Sequence, residues 1–422
     1  MSSTQLPFEE QVDRIAAELG VQFNTSLTTA GINTLANKLR NEDLPVVNVS
    51  MGEPGLAFPR TYLKFSEADW NLIHEYASGY NGFTAIPNVT EAVLAAVDKL
   101  HGATGTHVHP CAGAMSGLFT MGGYVKKHRG AKRVLRLKPG FNVVEAQQWG
   151  WGLQEIGIDS EDMTNLGTLI ERAVKEYNPS IILITTPSNP TAQSIDQETL
   201  NRIAYATNRT KGDSIPLVVD TAYSGMDPRE GVNQVSVFKT GAEQPVQLYT
   251  CSKNFSAAGM RLGAIVTNDQ MGEKLLGIRY FVDGGSSVHS QIALKNVSRA
   301  IADGFDILEY TRPYGDAMEK MRRAIDDTHF TVAYHQDMFG PVSPRFCYVT
   351  IKYDRENNPL NAYQLCEVLM KAGIATVPVV DGDTQCVRVT SLQMVTREGD
   401  LKSREISLFA ENLKIADQYL RQ

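Results

Sequence analysis

Leu248-Tyr-Thr-Cys-Ser-Lys-Asn-Phe-Ser-Ala-Ala-Gly-Met-Arg-Leu-Gly-Ala-Ile-Val-Thr267 sets a lysine, a glycine and an arginine between two apolar, β-prone runs. The runs, Val246–Thr250 and Leu262–Thr267, read as buried strands. Lys253 is crowded by small residues (Ser252, Ser256, Ala257, Ala258), and Arg261 follows eight positions on. A lysine held in a tight, poorly hydrated turn loses part of its preference for the charged form. Its neutral amine is then a nucleophile able to form a Schiff base with a carbonyl compound. A lysine that merely caps a strand at the surface fits the same stretch, and the flanking sequence has to decide.

Upstream, Ser180-Ile-Ile-Leu-Ile-Thr185 and Ile215-Pro-Leu-Val-Val-Asp220 are almost wholly apolar, as strands of a parallel sheet covered on both faces should be. The first runs into Thr186-Pro-Ser-Asn-Pro-Thr191; the second ends on an acid, with Tyr223 three residues later. Arg133–Leu137 is another strand, ending at Lys138-Pro-Gly-Phe141, and Leu153–Ile156 is strand-like. Helical patterns over Val143–Trp151, Leu166–Tyr177 and Gln197–Ala206 alternate with them. This order predicts an open α/β sheet, whose ligands gather beyond the carboxyl ends of the strands. Asn189, Asp220 and Lys253 all fall at such ends. A carboxylate closing a Leu-Val-Val run is desolvated and needs a partner. A cofactor pyridinium nitrogen would serve, as would a helix terminus or a nearby arginine.

Two further segments invite a ligand. Pro45–Met51 reads as a short strand entering Gly52-Glu-Pro-Gly55, a turn whose small side chains allow close backbone approach. Val108-His-Pro-Cys-Ala-Gly-Ala-Met-Ser-Gly-Leu-Phe119 reads as a small-residue turn opening a helix through Val125, where backbone amides suit an anion. Taken alone, the first segment is better read as a plain turn, and close helix packing explains the second just as well. Helices are also expected within residues 1–45 and over Val89–Leu100. From Asp303 the texture changes to a long helix (Ile307–Ile325), strands Phe346–Lys352 and Cys386–Thr390, and a helix Tyr363–Ala372 between them.

A chain of 422 residues exceeds one ordinary core, so two domains are expected. Residues 1–50 and 301–422 form a smaller α+β domain, and residues 51–300 the large one. The net charge of −7 is spread without blocks, and Lys126-Lys127-His128-Arg129 reads as a solvated helix end, which argues against nucleic acid. Neither a basic–apolar leader nor a bilayer-length apolar run is present, so no membrane partner is expected. Five scattered cysteines suit neither a disulfide framework nor a metal site and point to the cytoplasm.

Lys253 with Arg261, Asp220 with Tyr223, and Asn189-Pro190 about thirty residues before Asp220 together resemble the fold-type I pyridoxal-phosphate enzymes, most closely the class I/II aminotransferases. The resemblance runs over roughly residues 45–395. It implies a large domain with a mostly parallel, seven-stranded-type sheet between helices. It implies pyridoxal 5'-phosphate as cofactor, amino-acid and 2-oxo-acid substrates, and a homodimer with shared active sites. Lys253 would carry the internal aldimine and act as the catalytic base. Asp220 would face the pyridine nitrogen, with Asn189 and Tyr223 on the phenolate oxygen and Phe141 stacked on the ring. Gly113, Ala114 and Met115, with Thr250 and Arg261, would hold the phosphate, and Tyr80 would reach it across a dimer interface. Arg388, with Gly52 and Asn189, would take the substrate carboxylate. A lyase or an oxidase/deaminase on the same scaffold would share every cofactor residue. A DNA-binding regulator would need a basic N-terminal module, and the residues before the first family-like strand are not basic. Ala85 stands where the family usually has Gly, and Met115 where Thr, Lys or Gln is more usual. His107, His109 and Cys251 have no counterpart role. These departures bear on the substrate, not on cofactor binding.

Overall fold

A computed structural model describes residues 6–79, 84–130, 133–141, 147, 150–160, 163–208, 214–353, 360–381 and 384–421. Its strands are β1 (Val47–Asn48), β2 (His107–Ala112), β3 (Arg133–Lys138), β4 (Gln154–Asp159), β5 (Ile181–Thr185), β6 (Leu217–Asp220), β7 (Pro245–Thr250) and β8 (Leu262–Thr267). After them come β9 (Phe330–Val332), β10 (Gln336–Asp337), β11 (Gly340–Pro341), β12 (Tyr348–Tyr353), β13 (Ile374–Ala375), β14 (Val377–Asp381) and β15 (Thr384–Thr390).

Seven strands make one sheet in the order β2-β8-β7-β6-β5-β3-β4. The β4-β3-β5-β6-β7 run is parallel throughout, and β8 lies antiparallel to both β7 and β2. The mixed α/β fold with a mostly parallel central sheet therefore stands as the sequence implies. The reason is visible residue by residue. Leu135, Ile182, Ile184, Leu217 and Val219 pack on one face with helices Leu166–Tyr177 and Gln197–Asn208. Val134, Ile181, Leu183, Val218, Val246 and Leu248 pack on the other with helices Gly113–Arg129 and Asp269–Asp283. Alternate side chains thus leave water in opposite directions, each large aliphatic one contributing about 1.5–3 kcal/mol.

A second, antiparallel sheet has the order β14-β15-β12-β9. β1 and β13 form a separate parallel pair, Val47 opposite Ile374. One continuous apolar cluster joins Val47, Tyr249, Ile292, Tyr348, Leu369 and Phe409, so the two sheets share a core.

Three expectations shift. The strand expected over Pro45–Met51 shrinks to Val47–Asn48, because the Asn48 side chain accepts from the Ser50 amide (3.0 Å) and hydroxyl (2.7 Å) and turns the chain out of the ladder. β4 begins and ends later than Leu153–Ile156; as an edge strand it is half exposed, and its register with β3 rather than hydropathy sets its length. Residues 107–112 are a full strand, paired with β8 along its whole length. The helix expected over Val143–Trp151 falls largely outside the described residues.

Helices Glu67–Tyr76 and Val288–Ala302 are pinned together by a buried ion pair between Asp69 and Lys295. Asp69 also closes a capping box with Ser66. Burial alone would raise the Asp69 carboxyl above its ordinary 3.8, but the bonds from Lys295 and Ser66 outweigh it and lower it. Its contribution is therefore full at neutral pH and fades only as acid protonates it below that value. Asp69→Ala leaves a buried, unpaired ammonium. It is expected to cost about 3–5 kcal/mol, read as a drop in the urea midpoint at pH 7 that shrinks at pH 3.

Candidate active site

The parallel register sets the carboxyl ends of β5, β6 and β7 side by side: Asp220 lies opposite Thr185 on one flank and Leu248 on the other. The loops leaving these ends carry Asn189, Tyr223 and Lys253. They open into a cavity of ≈ 550 Å³ lined by Gly52, Ala114, Met115, Phe141, Asn189, Asp220, Tyr223, Thr250, Lys253, Arg261 and Arg388, among others. Eleven of the residues singled out in the sequence are thereby brought together across most of the chain's length.

Asp220 is 7% exposed. It accepts one backbone bond, from the Ala222 amide at 3.1 Å. Burial pushes its carboxyl up to about 6, and the Ala222 amide holds it there rather than higher. At pH 7 it is still ionised by roughly ten to one. Among the described residues no cation pairs with it, so an anion sits buried facing the cavity.

Lys253 leaves the turn after β7 and donates from Nζ to the Gly52 carbonyl oxygen at 2.5 Å. Burial lowers its amine from 10.5 to about 8, with Cys347 pulling upward and Arg388 pushing further down. About a tenth of the amine is then neutral at pH 7, several hundred times the fraction of an ordinary lysine. Gly52 is required here. A Cβ on it would lie 2.7 Å from the Tyr348 hydroxyl and 3.8 Å from Lys253 Nζ.

Arg388 comes from β15 and is 8% exposed. Its Nη1 donates to Asn189 Oδ1 at 3.0 Å and its Nη2 to the Ser50 carbonyl at 2.6 Å. The guanidinium lies 5.0 Å over the Tyr348 ring. Asn189 is itself held by a loop whose Ser194 amide donates to Asp337 (2.8 Å), and Asp337 is gripped by Arg229. Tyr223 is buried, and its hydroxyl donates to Tyr348 Oη at 3.2 Å. Burial drives the Tyr223 hydroxyl well above its usual range, with Tyr348 and Cys347 adding to it.

At the other end, helix Gly113–Arg129 points its first turn at the cavity. Arg261 adopts φ 55°, unusual for an arginine, and donates to the carbonyls of Ala258 and Ala112, each at 2.8 Å. Gly113 has φ 75°, and a Cβ there would meet Arg261 Nη2 at 3.0 Å. Gly113 thus backs the guanidinium rather than lining the cavity. Thr250 and Ser252 share a hydroxyl–hydroxyl bond of 2.9 Å. An arginine, two hydroxyls and a helix N-terminus form one donor set suited to a phosphate dianion.

Tyr80 lies outside the described residues. His107 and His109 sit in β2 and Cys251 in the shared core, none of them among the lining residues. His107 faces Asp269 at 3.0 Å. Burial depresses His109 to about 4, so it is a neutral core residue. Sequence reasoning passes over Tyr348, Ser50 and the Val377–Val380 wall. For Tyr348 a signal exists: it opens the near-continuously buried run of β12, whose polar-tipped aromatics are Tyr348 and Tyr353.

A description of class I and II aminotransferases matches residues 153–398. The chain belongs to the class I and II aminotransferase family. The Escherichia coli K12 glutamate-pyruvate aminotransferase AlaC is 30% identical over 128 residues, 29% of this chain and 30% of that enzyme. The Candida maltosa histidinol-phosphate aminotransferase is 25% identical over 237 residues, 56% of this chain and 57% of that enzyme. The chain thus spans about a third to just over half the length of these curated relatives. The Rhizobium meliloti aspartate aminotransferase structure matches at TM-score 0.74 with 16% identity, over 92% of this chain and 95% of that one. A Thermus thermophilus aspartate aminotransferase double mutant gives TM-score 0.72 with 17% identity, over 91% and 96%. At such identities the likeness is one of fold, here pyridoxal-phosphate fold type I.

Members of this family carry pyridoxal 5'-phosphate, and the donor set fits it. A buried carboxylate without a cation suits a pyridinium, a partly neutral amine suits an aldehyde, and the arginine–hydroxyl–helix cluster suits a phosphate. Trace labelling with an amine reagent, read by peptide mass spectrometry, should show Lys253 of the cofactor-free protein gaining reactivity with a midpoint near pH 8. A Lys253 midpoint no lower than the ordinary lysine value of 10.5 would overturn the depressed amine.

Proposed function

We propose that this chain is a pyridoxal-phosphate-dependent aminotransferase that moves an amino group between an amino acid and a 2-oxo acid. The observation that carries the reading is one cavity holding a depressed lysine amine, an unpaired buried carboxylate and a braced arginine.

When bound, pyridoxal phosphate supplies an aldehyde for Lys253 and a ring that accepts the electron pair left when the Cα proton departs. Everything else falls to the chain. Arg388 takes the substrate carboxylate with its remaining N–H groups, while Asn189 and Ser50 keep the guanidinium from turning. That fixes which bond at Cα faces the lysine. Lys253 Nζ, largely stripped of water and free once the substrate amine has displaced it from the aldehyde, would take up the Cα proton as general base and give it back as general acid. The Gly52 carbonyl holds Nζ by one hydrogen bond, which is lost and regained as the amine changes partner. Asp220 would face the ring nitrogen and favour its protonated form, and that pairing would bring its carboxyl back down. Asn189 and Tyr223 bond the phenolic oxygen, and Phe141 packs on the ring. Arg261, Thr250 and the amides of Ala114 and Met115 hold the phosphate.

A lyase or oxidase/deaminase would use the same residues; the family match favours transamination. Further parts of the reading remain proposals. Sheet membership supports a division into residues 51–300 and a second unit made of 1–50 with 301–422, since the β1–β13 pair ties the two ends of the chain. A homodimer is supported by Tyr280 and Phe281, 56% and 79% exposed at the end of one helix. A cytoplasmic setting is supported by five free, buried cysteines. Among the described residues no helix is long and apolar enough to cross a membrane.

The test is a panel of amino acids added to cofactor-loaded protein, with the cofactor absorbance followed and a 2-oxo acid then added to restore it. Lys253→Ala should abolish both phases. Asp220→Asn should keep the cofactor and lose on the order of 10²-fold or more in rate. Release of ammonia or peroxide without consumption of a second oxo acid would refute transamination.

A further inference from the structure

Tyr348 borders three of the residues singled out in the sequence, Arg388, Tyr223 and Gly52. It is 1% exposed. Its ring lies under the Arg388 guanidinium at 5.0 Å and meets the Tyr223 ring edge-on, centroids 5.3 Å apart. Its hydroxyl is 3.2 Å from that of Tyr223 and fills the space beside Gly52 where Lys253 Nζ also ends. The ring and the hydroxyl therefore act on different partners and can be separated by substitution.

We infer that Tyr348 is a positioning residue, its ring keeping Arg388 flat and its hydroxyl feeding a hydrogen bond into Tyr223; this rests on the aminotransferase reading above. Arg388 has two fixed donors and an aromatic floor. Without the floor the guanidinium is free to tilt about the Asn189 and Ser50 bonds, and a bidentate grip on a carboxylate loses its plane. The hydroxyl argument follows from donor counting. Tyr223 has one proton. In the structure it donates to Tyr348, but a Tyr223 that bonds a phenolic oxygen must spend its proton there. Tyr348 then turns donor, and a donated bond polarises Tyr223 and strengthens its own. A donor on the phenolic oxygen competes with the imine proton for that oxygen's charge, so weakening it favours the protonated imine.

Lys253 is faced by Tyr348 at the start of β12 and Cys347 just before it, by Arg388 from β15, by Glu53 from the Gly52 turn and by Arg261. Tyr348→Phe changes none of their charges and keeps the ring. It should raise the pH midpoint of the lysine-bound cofactor's absorbance change by a few tenths of a pH unit or more and lower kcat several-fold, with KM for the amino acid nearly unchanged. Tyr348→Leu removes the floor and should raise that KM about tenfold or more, while Tyr348→Phe rescues it. A wild-type absorbance titration with an unmoved Tyr348→Phe midpoint overturns the hydroxyl role. An unmoved KM in a folded Tyr348→Leu overturns the ring role; if that variant does not fold, a raised KM in Tyr348→Phe does so instead. A wild-type protein with no Lys253-dependent absorbance overturns the aminotransferase reading and this one together.

Discussion

Covering both faces of a parallel sheet leaves its strand ends as the natural place for polar chemistry. Leu217, Val218 and Val219 each find an apolar layer above or below, and the first residue of that strand that can turn toward an open space is Asp220. The same holds one strand over, where β7 is buried along its length and Lys253 waits three residues beyond it. Burial that builds the sheet thus also sets the electrostatics at its edge. The carboxyl is pushed up and the amine down by one cause, loss of water, and both are left poised for partners the fold does not supply.

Much of this was legible before any coordinates. The near-continuous apolar runs at Ile181–Thr185 and Leu217–Asp220 could be only doubly covered strands, and polar residues at successive ends pointed to one site. What hydropathy could not carry was anything set by pairing or by distant contacts. β4 is an edge strand whose limits follow its register with β3. The strand at His107–Ala112 holds a histidine pair and a proline that hide its pairing with β8. Tyr348 is one residue of an expected apolar strand; only the approach of β12 to Tyr223 and Arg388 gives its hydroxyl a use. Gly113 stood near the right place, but the Arg261 guanidinium, not the cavity, explains its missing side chain.

The positive charges around the cavity are not equivalent. Arg261 is open and held in a strained conformation by two carbonyls, which aims it without neutralising it. Arg388 is buried, yet it donates to a neutral amide and a carbonyl, so its charge is also unspent. Two arginines bonded to carbonyls and an amide rather than to carboxylates therefore line the cavity, together with the buried Asp220 carboxylate. That suits a ligand carrying both anionic groups and a cationic one. Arg229, by contrast, is saturated by Asp227 and Asp337 and serves only to hold a loop.

The short β1–β13 pair ties the segment carrying Gly52 to the C-terminal half. Val49 accepts from the Thr390 amide at 3.1 Å, and Ser50 accepts from Arg388. The carbonyl that restrains the Lys253 amine thus lies two residues after the carbonyl that holds the Arg388 guanidinium. Residues 50–52 therefore brace two charged groups at once, and a substitution that displaced this short segment would disturb the amine and the guanidinium together.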